Sequence, residues 1–251
     1  MNHSLFEIRK VFQQNRKPIS TLANGEFNTL EAVKAYGLDQ LRASVDAMLA
    51  KEAAAAAKPS TAPDSDFLRD VHQGRITDVV REEAVLSILQ FAVQTDCLDQ
   101  TVLQAVRLAD NYLRQNPQVQ PAFVRIIYAM ALEISIKLNE QMILSLEDIV
   151  QLFENRFSVR MLANLEKHIL SLNNYRVNVA TPLDFVLHFA YLEKDVLNSG
   201  EFDLFPEEVV NETLPLLHYA LSQYPISRKK YSSIAVAAIC HTLQEVQEDM
   251  Q

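Results

Sequence analysis

The chain has 251 residues, almost half of them apolar and only 4 of them glycine. It is long enough to bury one large core or two smaller ones without covalent staples, and too poor in glycine for a fold built on hairpins. Its net charge of −9, from 32 acidic and 23 basic residues, argues against a phosphate-backbone footprint and so against nucleic acid as a partner.

Near the start, Leu5, Ile8, Val11 and Phe12 share one face at helical spacing. A polar loop over 15–27, containing Pro18 and Gly25, follows. Asn28 or Thr29 then caps a helix whose stripe is Leu30, Val33, Leu38, Leu41, Val45 and Leu49. It fades into the alanine run 53–57, which favours helix but has nothing to bury. Residues 58–65, KPSTAPDS, read as a linker. Beyond it the pattern predicts helices over 66–73, 78–94, 99–114, 120–138, 145–154 and 158–173. A break at 179–182 comes next, and further helices are predicted over 181–195, 206–223 and 227–248. Thr77 or Asp78, Asp99, Ser145, Ser158, Thr181 (with Pro182 at the first helical position) and Ser227 are the expected caps. The stretch around 122–138 is apolar nearly all round, from Phe123 to Ile136, and belongs at the centre of a helical bundle.

Chemistry is not in evidence. There is no glycine-rich phosphate loop, no GxSxG elbow and no HExxH helix. His3, His72, His168, His188, His218 and His241 never pair at ligand spacing and read as surface or core-edge residues. Cys97 and Cys240 match no metal or redox spacing and read as isolated buried thiols of a reducing compartment. Glu82-Glu83 and Glu207-Glu208 sit near helix starts, where negative charge suits the dipole, and Arg228-Lys229-Lys230 reads as a solvated helix start. No enzyme activity, cofactor or metal is expected. Met1 opens on a polar stretch without a signal-peptide pattern, and no run approaches the roughly 18 apolar residues of a bilayer span. The expected location is therefore the nucleus or the cytoplasm, with no membrane partner.

Four charged residues need an explanation. Arg81, Asp110, Lys137 and Glu166 each lie within or beside a strongly apolar helical stretch, where a charge is tolerated only if paired. They form structural ion pairs, snorkel at helix surfaces, or face a partner.

The order of motifs is similar to that of a known family. Residues 76–81, ITDVVR, resemble the I-T-x-x-M-R opening of the first cyclin-box helix, with Val80 where methionine is usual. Residues 101–113, TVLQAVRLADNYL, resemble the second-helix pattern T-L-x-L-A-x-x-x-x-D-R-F-L, and residues 135–140, SIKLNE, the A-S-K-x-E-E end of the central helix. Leu165, Glu166 and Leu170, followed by Tyr175 and Val177, resemble the fifth helix and its exit, M-E-x-x-I-L…F-x-L. Ala180-Thr181-Pro182 with Phe185 resembles the P-T-P-x-x-F-L opening of a second box. Five motifs in the right order resemble the cyclins over roughly 66–248, the mitotic A/B-type being the nearest comparison.

The resemblance implies an all-α cyclin fold. An N-terminal helical extension and linker would cover 1–65, a five-helix cyclin box 66–178, and a second, truncated helical box 179–251. It implies a regulatory subunit that binds and activates a cyclin-dependent protein kinase in cell-cycle control. Arg81 and Asp110 match the family's internal ion pair. Lys137 and Glu166 match the charged pair that grips the segment before the kinase's mobile helix, with Leu138, Leu170, Tyr175 and Val177 as the surrounding apolar positions. The substrate-docking pattern M-R-A-I-L-x-x-W is replaced by Val80, Arg81, Glu82, Glu83, Ala84 and Ser87, which removes its apolar triad. Arg16, Ile19, Leu22 and Asn24 resemble a destruction box, which implies a ubiquitin ligase as a second partner and Lys17, Lys51 or Lys58 as acceptors. The alternative is a cyclin-fold scaffold without kinase activation; a cyclin-fold transcription factor is opposed by the acidic charge.

Overall fold

The computed structural model describes residues 29–56, 65–197 and 204–249, and every regular element among them is a helix. The face of Leu5, Ile8, Val11 and Phe12, the loop carrying Arg16, Ile19, Leu22 and Asn24, and residues 57–64 lie outside the described residues. The chain divides into two units, one of Pro59–Val179 with Ser222–Tyr224 and one of Met1–Lys58, Ala180–Leu221 and Pro225–Gln251.

The unit around Pro59–Val179 is a five-helix body preceded by a single turn. The turn is α3, Phe67–Asp70, and the body is α4 Asp78–Thr95, α5 Asp99–Gln115, α6 Val124–Asn139, α7 Leu146–Leu152 and α8 Val159–Leu172. The expected helix over 66–73 is only this one turn, because the chain enters left-handed backbone at Gln73 and Gly74. Thr77 caps α4 by accepting from Val80 N, and Asp96 ends it in the left-handed region at φ 56°. Ser145 and Asp148 cap α7 reciprocally, and Ser158 accepts from Met161 N at the start of α8. The apolar stretch from Pro121 begins as a 3-10 turn, Pro121–Phe123, before α6 proper. α6 is the centre: it packs on α4, α5 and α8, and Val124, Tyr128, Met130, Ala131 and Ile136 are fully buried. Each large apolar side chain so buried contributes roughly 1.5–3 kcal/mol before entropy is charged against it.

The expected cap of α5 is displaced. Leu98, not Asp99, holds the N-cap position and makes no side-chain cap bond. Glu140, just past the end of α6, supplies the acceptor instead. Its Oε1 takes Leu98 N–H at 2.7 Å and the Thr101 hydroxyl at 2.5 Å.

The other unit has α9, Pro182–Leu192, at its centre, packed on α1 Thr29–Lys34, α2 Leu38–Ala56 and α13 Tyr231–Asp249. Between them come α10 Lys194–Leu197, α11 Pro206–Ser222 and α12 Tyr224–Ser227. The helix expected over 181–195 breaks at Glu193, and the last helix starts at Tyr231, so Ser227 is not its cap. Thr181 does cap α9: Asp184 Oδ2 accepts from its N–H at 2.6 Å and its hydroxyl at 2.9 Å. The N-terminal stripe is also re-phased. The chain breaks at Gly37, whose N–H donates to Gln40 Oε1, and the helix restarts. The buried face is Val33, Leu41, Val45 and Met48, while Leu38 and Leu49 are exposed. Polar ties complete the contact. Ser44 Oγ meets His188 Nε2 at 2.9 Å, and Glu52 accepts from Ser232 N at 3.1 Å at the start of α13. Lys34 bridges Glu31 and Glu207, each at 3.2 Å.

Two residue-type expectations need correction. His72, His188 and His218 are buried, not at the surface or core edge. Burial of His72 and His188 is tolerated because each has a carbonyl to donate to: His72 Nε2 to Leu113 O at 2.9 Å, His188 Nδ1 to Asp184 O at 2.7 Å. Burial lowers the His72 pKa against the pull of that carbonyl, which keeps the ring neutral. Of the two thiols Cys97 is only partly buried and Cys240 is exposed, on the same outward face of α13 as Val236.

Candidate functional site

Arg81 and Asp110 are brought together inside the five-helix unit. The fully buried guanidinium donates from Nε and Nη2 to the two carboxylate oxygens at 3.0 and 2.8 Å, and from Nη1 to Ser222 O at 3.0 Å. Tyr128 adds its hydroxyl to Asp110 Oδ1. Burial, reinforced by the Asp110 charge, pushes the Tyr128 phenol far above its ordinary pKa, so it stays protonated and donates. This network ties α4, α5 and α6 to one another, and nothing in it is open to a partner.

Lys137 and Glu166 meet at the surface. Lys137 occupies the last turn of α6, where a cation suits the helix dipole, and its Nζ donates to Glu166 Oε1 on α8 at 2.7 Å. The lysine side chain is 44% exposed and the glutamate 22%. One turn earlier on α6, Glu133 is completely buried and forms a second ion pair with the same ammonium. Burial works to lower the Lys137 pKa, but its contacts with the Glu133 and Glu166 carboxylates outweigh this and hold it above its ordinary value. Burial raises the Glu133 pKa; the Lys137 bond opposes the rise and the Glu166 charge adds to it.

The apolar candidates flank this pair unequally. Leu138 follows Lys137 and is 44% exposed, and Leu170 lies one turn beyond Glu166 on the same face of α8, half-buried. Tyr175 is 64% exposed and Val177 half-buried in the segment that leaves α8. That exit is sharply built. Asn174 and Tyr175 both adopt left-handed backbone, and Tyr175 N donates back to Leu170 O at 2.8 Å.

Glu133 and Gln104 are the residues that reading the sequence passes over. Gln104 is buried on α5. Its Nε2 donates to Val177 O at 2.7 Å and its Oε1 accepts from Asn139 Nδ2 at the end of α6. One amide thus fixes both the exit segment and the end of the helix that carries Lys137. A signal for Glu133 exists: it is a lone carboxylate in an apolar run, four residues before a lysine. Gln104 has no comparable signal, since a neutral polar residue on a helix is ordinary. Ile143, in the loop after α6, is a further exposed apolar residue not foreseen.

On α4 the positions of the docking pattern hold no apolar triad. Arg81 and Ala84 are buried, Glu82 accepts from Tyr224 N at 3.0 Å, Glu83 is exposed, and Ser87 donates to Ala84 O at 2.8 Å. Val79 alone stands out as an exposed apolar residue there. Among the described residues no cluster of three His, Cys, Asp or Glu could hold a metal, and no helix is long and apolar enough to cross a membrane.

Comparison with known proteins gives one match. The family model "Cyclin, N-terminal domain" fits residues 48–178. A search of curated proteins finds no match. The fitted stretch is a little over half of the sequence and stops where the five-helix body stops, so the order of its helices and the sequence that forms them point the same way: the chain belongs to the cyclin family.

Proposed function

We propose that the chain is the regulatory subunit of a cyclin-dependent protein kinase, which it binds and activates through the face built by Lys137 and Glu166 with Leu138, Leu170, Tyr175 and Val177. Proteins of this family are regulatory rather than catalytic and commonly act on such kinases. The observation that carries the reading is the Lys137–Glu166 pair at 2.7 Å, half-open to solvent and set beside exposed Leu138 and Tyr175. A hydrogen-bonded charge pair amid apolar anchors is the layout of an interface hot spot. Activation is a population shift: the subunit binds the active arrangement of the kinase's mobile helix better than the inactive one. Moving that equilibrium from 1:99 to 99:1 takes roughly a 10⁴-fold difference in affinity. The same reading puts the protein in the nucleus or cytoplasm, in the mitotic part of cell-cycle control. Its abundance would be set by a ubiquitin ligase that reads Arg16, Ile19, Leu22 and Asn24.

The test is retention of a panel of cyclin-dependent kinases by the purified chain, beside a Lys137→Ala/Glu166→Ala double variant that still folds. The expected result is that one kinase is retained and activated by the native chain and lost by the variant. A second reading, a cyclin-fold scaffold that activates no kinase, is favoured by α4, whose docking positions carry exposed Glu83 and buried Ala84. Failure of the native chain to retain any kinase would select it.

A further inference from the structure

The Lys137–Glu166 pair has a third member that the proposed kinase contact does not use. Glu133 is buried completely, between Leu132 and Ile134 in the sequence of α6 and beneath Lys137. Its Oε1 forms an ion pair with the Lys137 ammonium, and neither of its oxygens has a hydrogen-bond donor in good geometry among the described residues. A carboxylate in that position is a poor choice for stability alone, because a well-packed apolar side chain usually serves at least as well as a buried ion pair. What it does that leucine could not is hold the ammonium.

We propose that Glu133 is a positioning residue for partner binding: it fixes Lys137 in the geometry the kinase meets and makes affinity for the kinase fall on acidification. The inference rests on the kinase-binding reading above. Lysine is a long, flexible side chain, and an interface that uses one must ordinarily order it on binding. Here the ammonium is held between two carboxylates, the buried one on its own helix and the part-exposed one on α8, so it is ordered before any partner arrives. The two anchors are not equivalent. Glu166 is partly exposed and available to the partner, whereas Glu133 is fully buried and, among the described residues, pairs with Lys137 alone.

The pH dependence follows from the same geometry. The charges that act on Glu133 are Lys137 on its own helix and Glu166 across on α8; the packed helices α4 and α5 contribute none. Burial raises the Glu133 pKa above the ordinary carboxylate range. The anchor is therefore in force above that raised pKa and is lost as pH falls through it, earlier than an exposed carboxylate would be lost.

The experiment measures affinity for the retained kinase from about pH 8 down to about pH 5, with the native chain, Glu133→Leu and Glu133→Gln. Leucine suits the apolar surroundings, and glutamine keeps the size should leucine fail to fold. The expected result at the alkaline end is a roughly threefold to tenfold weaker complex for each variant, the cost of ordering one long side chain. The native chain should also show an acid-side fall in affinity that both variants lack. Variants with native affinity and a native pH profile overturn the inference. If the native chain binds a kinase, Lys137→Ala/Glu166→Ala abolishes it and both Glu133 variants keep native affinity and pH profile, the kinase reading stands and the role of Glu133 falls. If the native chain binds none, both fall together.

Discussion

Inside the five-helix unit the least forgiving residue is Arg81. Its guanidinium is fully buried, and four of its surroundings answer it: both oxygens of Asp110, Ser222 O, and the Tyr224 ring 5.7 Å from the guanidinium carbon. Removing one partner of such a pair leaves an uncompensated charge, while replacing both by apolar groups is far milder. Asp110→Leu is therefore expected to lower stability by about 3–5 kcal/mol, and Arg81→Met/Asp110→Leu by much less. Urea unfolding of the two variants checks this, and a double variant as unstable as the single one would refute the pairing argument. Arg81, Asp110, Lys137 and Glu166 were legible in the sequence because a charge in an apolar helical stripe demands a partner. Which charge pairs with which came from the family resemblance and not from the local pattern, since the partners lie 29 residues apart in both pairs, and both pairs are formed in the structure. Tyr128 and Gln104 were invisible for a different reason. Their polar atoms raise no alarm in a helical pattern, and their importance comes from acceptors on other helices.

Helices were read more easily than their ends. Periodicity and caps located the main bodies of α4 to α8, because Thr77, Ser145 and Ser158 each act on a backbone N–H three residues ahead, within reach of local reasoning. The start of α5 was read correctly at 99, but its cap escaped because the acceptor comes from Glu140, about forty residues downstream. That borrowed cap makes a specific prediction. Glu140→Ala removes the acceptor of both Leu98 N and the Thr101 hydroxyl, and should cost about 1–2 kcal/mol, the scale of losing a helix cap. Asp99→Ala, the position that local reasoning favours, should cost less. Thermal melting of the two variants decides it: a greater loss at Asp99 would mean that α5 is capped locally after all. The re-phased N-terminal helix has a similar origin. A break at Gly37 is hard to see in the hydrophobic pattern, and after it Leu41 and Val45 face inward as expected while Leu38 and Leu49 face outward and Met48 takes the inner position.

At the scale of the molecule, the feature that the local pattern leaves open is where the N-terminal helices belong. Local pattern read them as an extension of open role. In the structure α1 and α2 share a unit with α9 and α13 and lay Val33, Leu41, Val45 and Met48 against it. Sequence alone could not choose the surface because an amphipathic stripe says only that something apolar covers it. The polar ties argue that the contact is specific and not an incidental apolar collapse. Glu52 holds the first turn of α13, and Ser44 meets His188, itself anchored to the backbone of α9. The contact therefore contributes to the stability of α9, whose Leu183, Phe185, Val186 and Leu187 are buried in this unit. Placing a charge at Val45 tests it directly. Val45→Asp buries an unpaired carboxylate and should cost about 3 kcal/mol, whereas Leu49→Asp on the exposed face of the same helix should stay within about 0.5 kcal/mol of native. Hydrogen exchange gives the readout by location. Amides of α2 and α9 should lose protection in Val45→Asp and keep it in Leu49→Asp, with α6 unchanged in both. Equal protection of α9 in the two variants would mean that the N-terminal helices do not support the unit they share with α9.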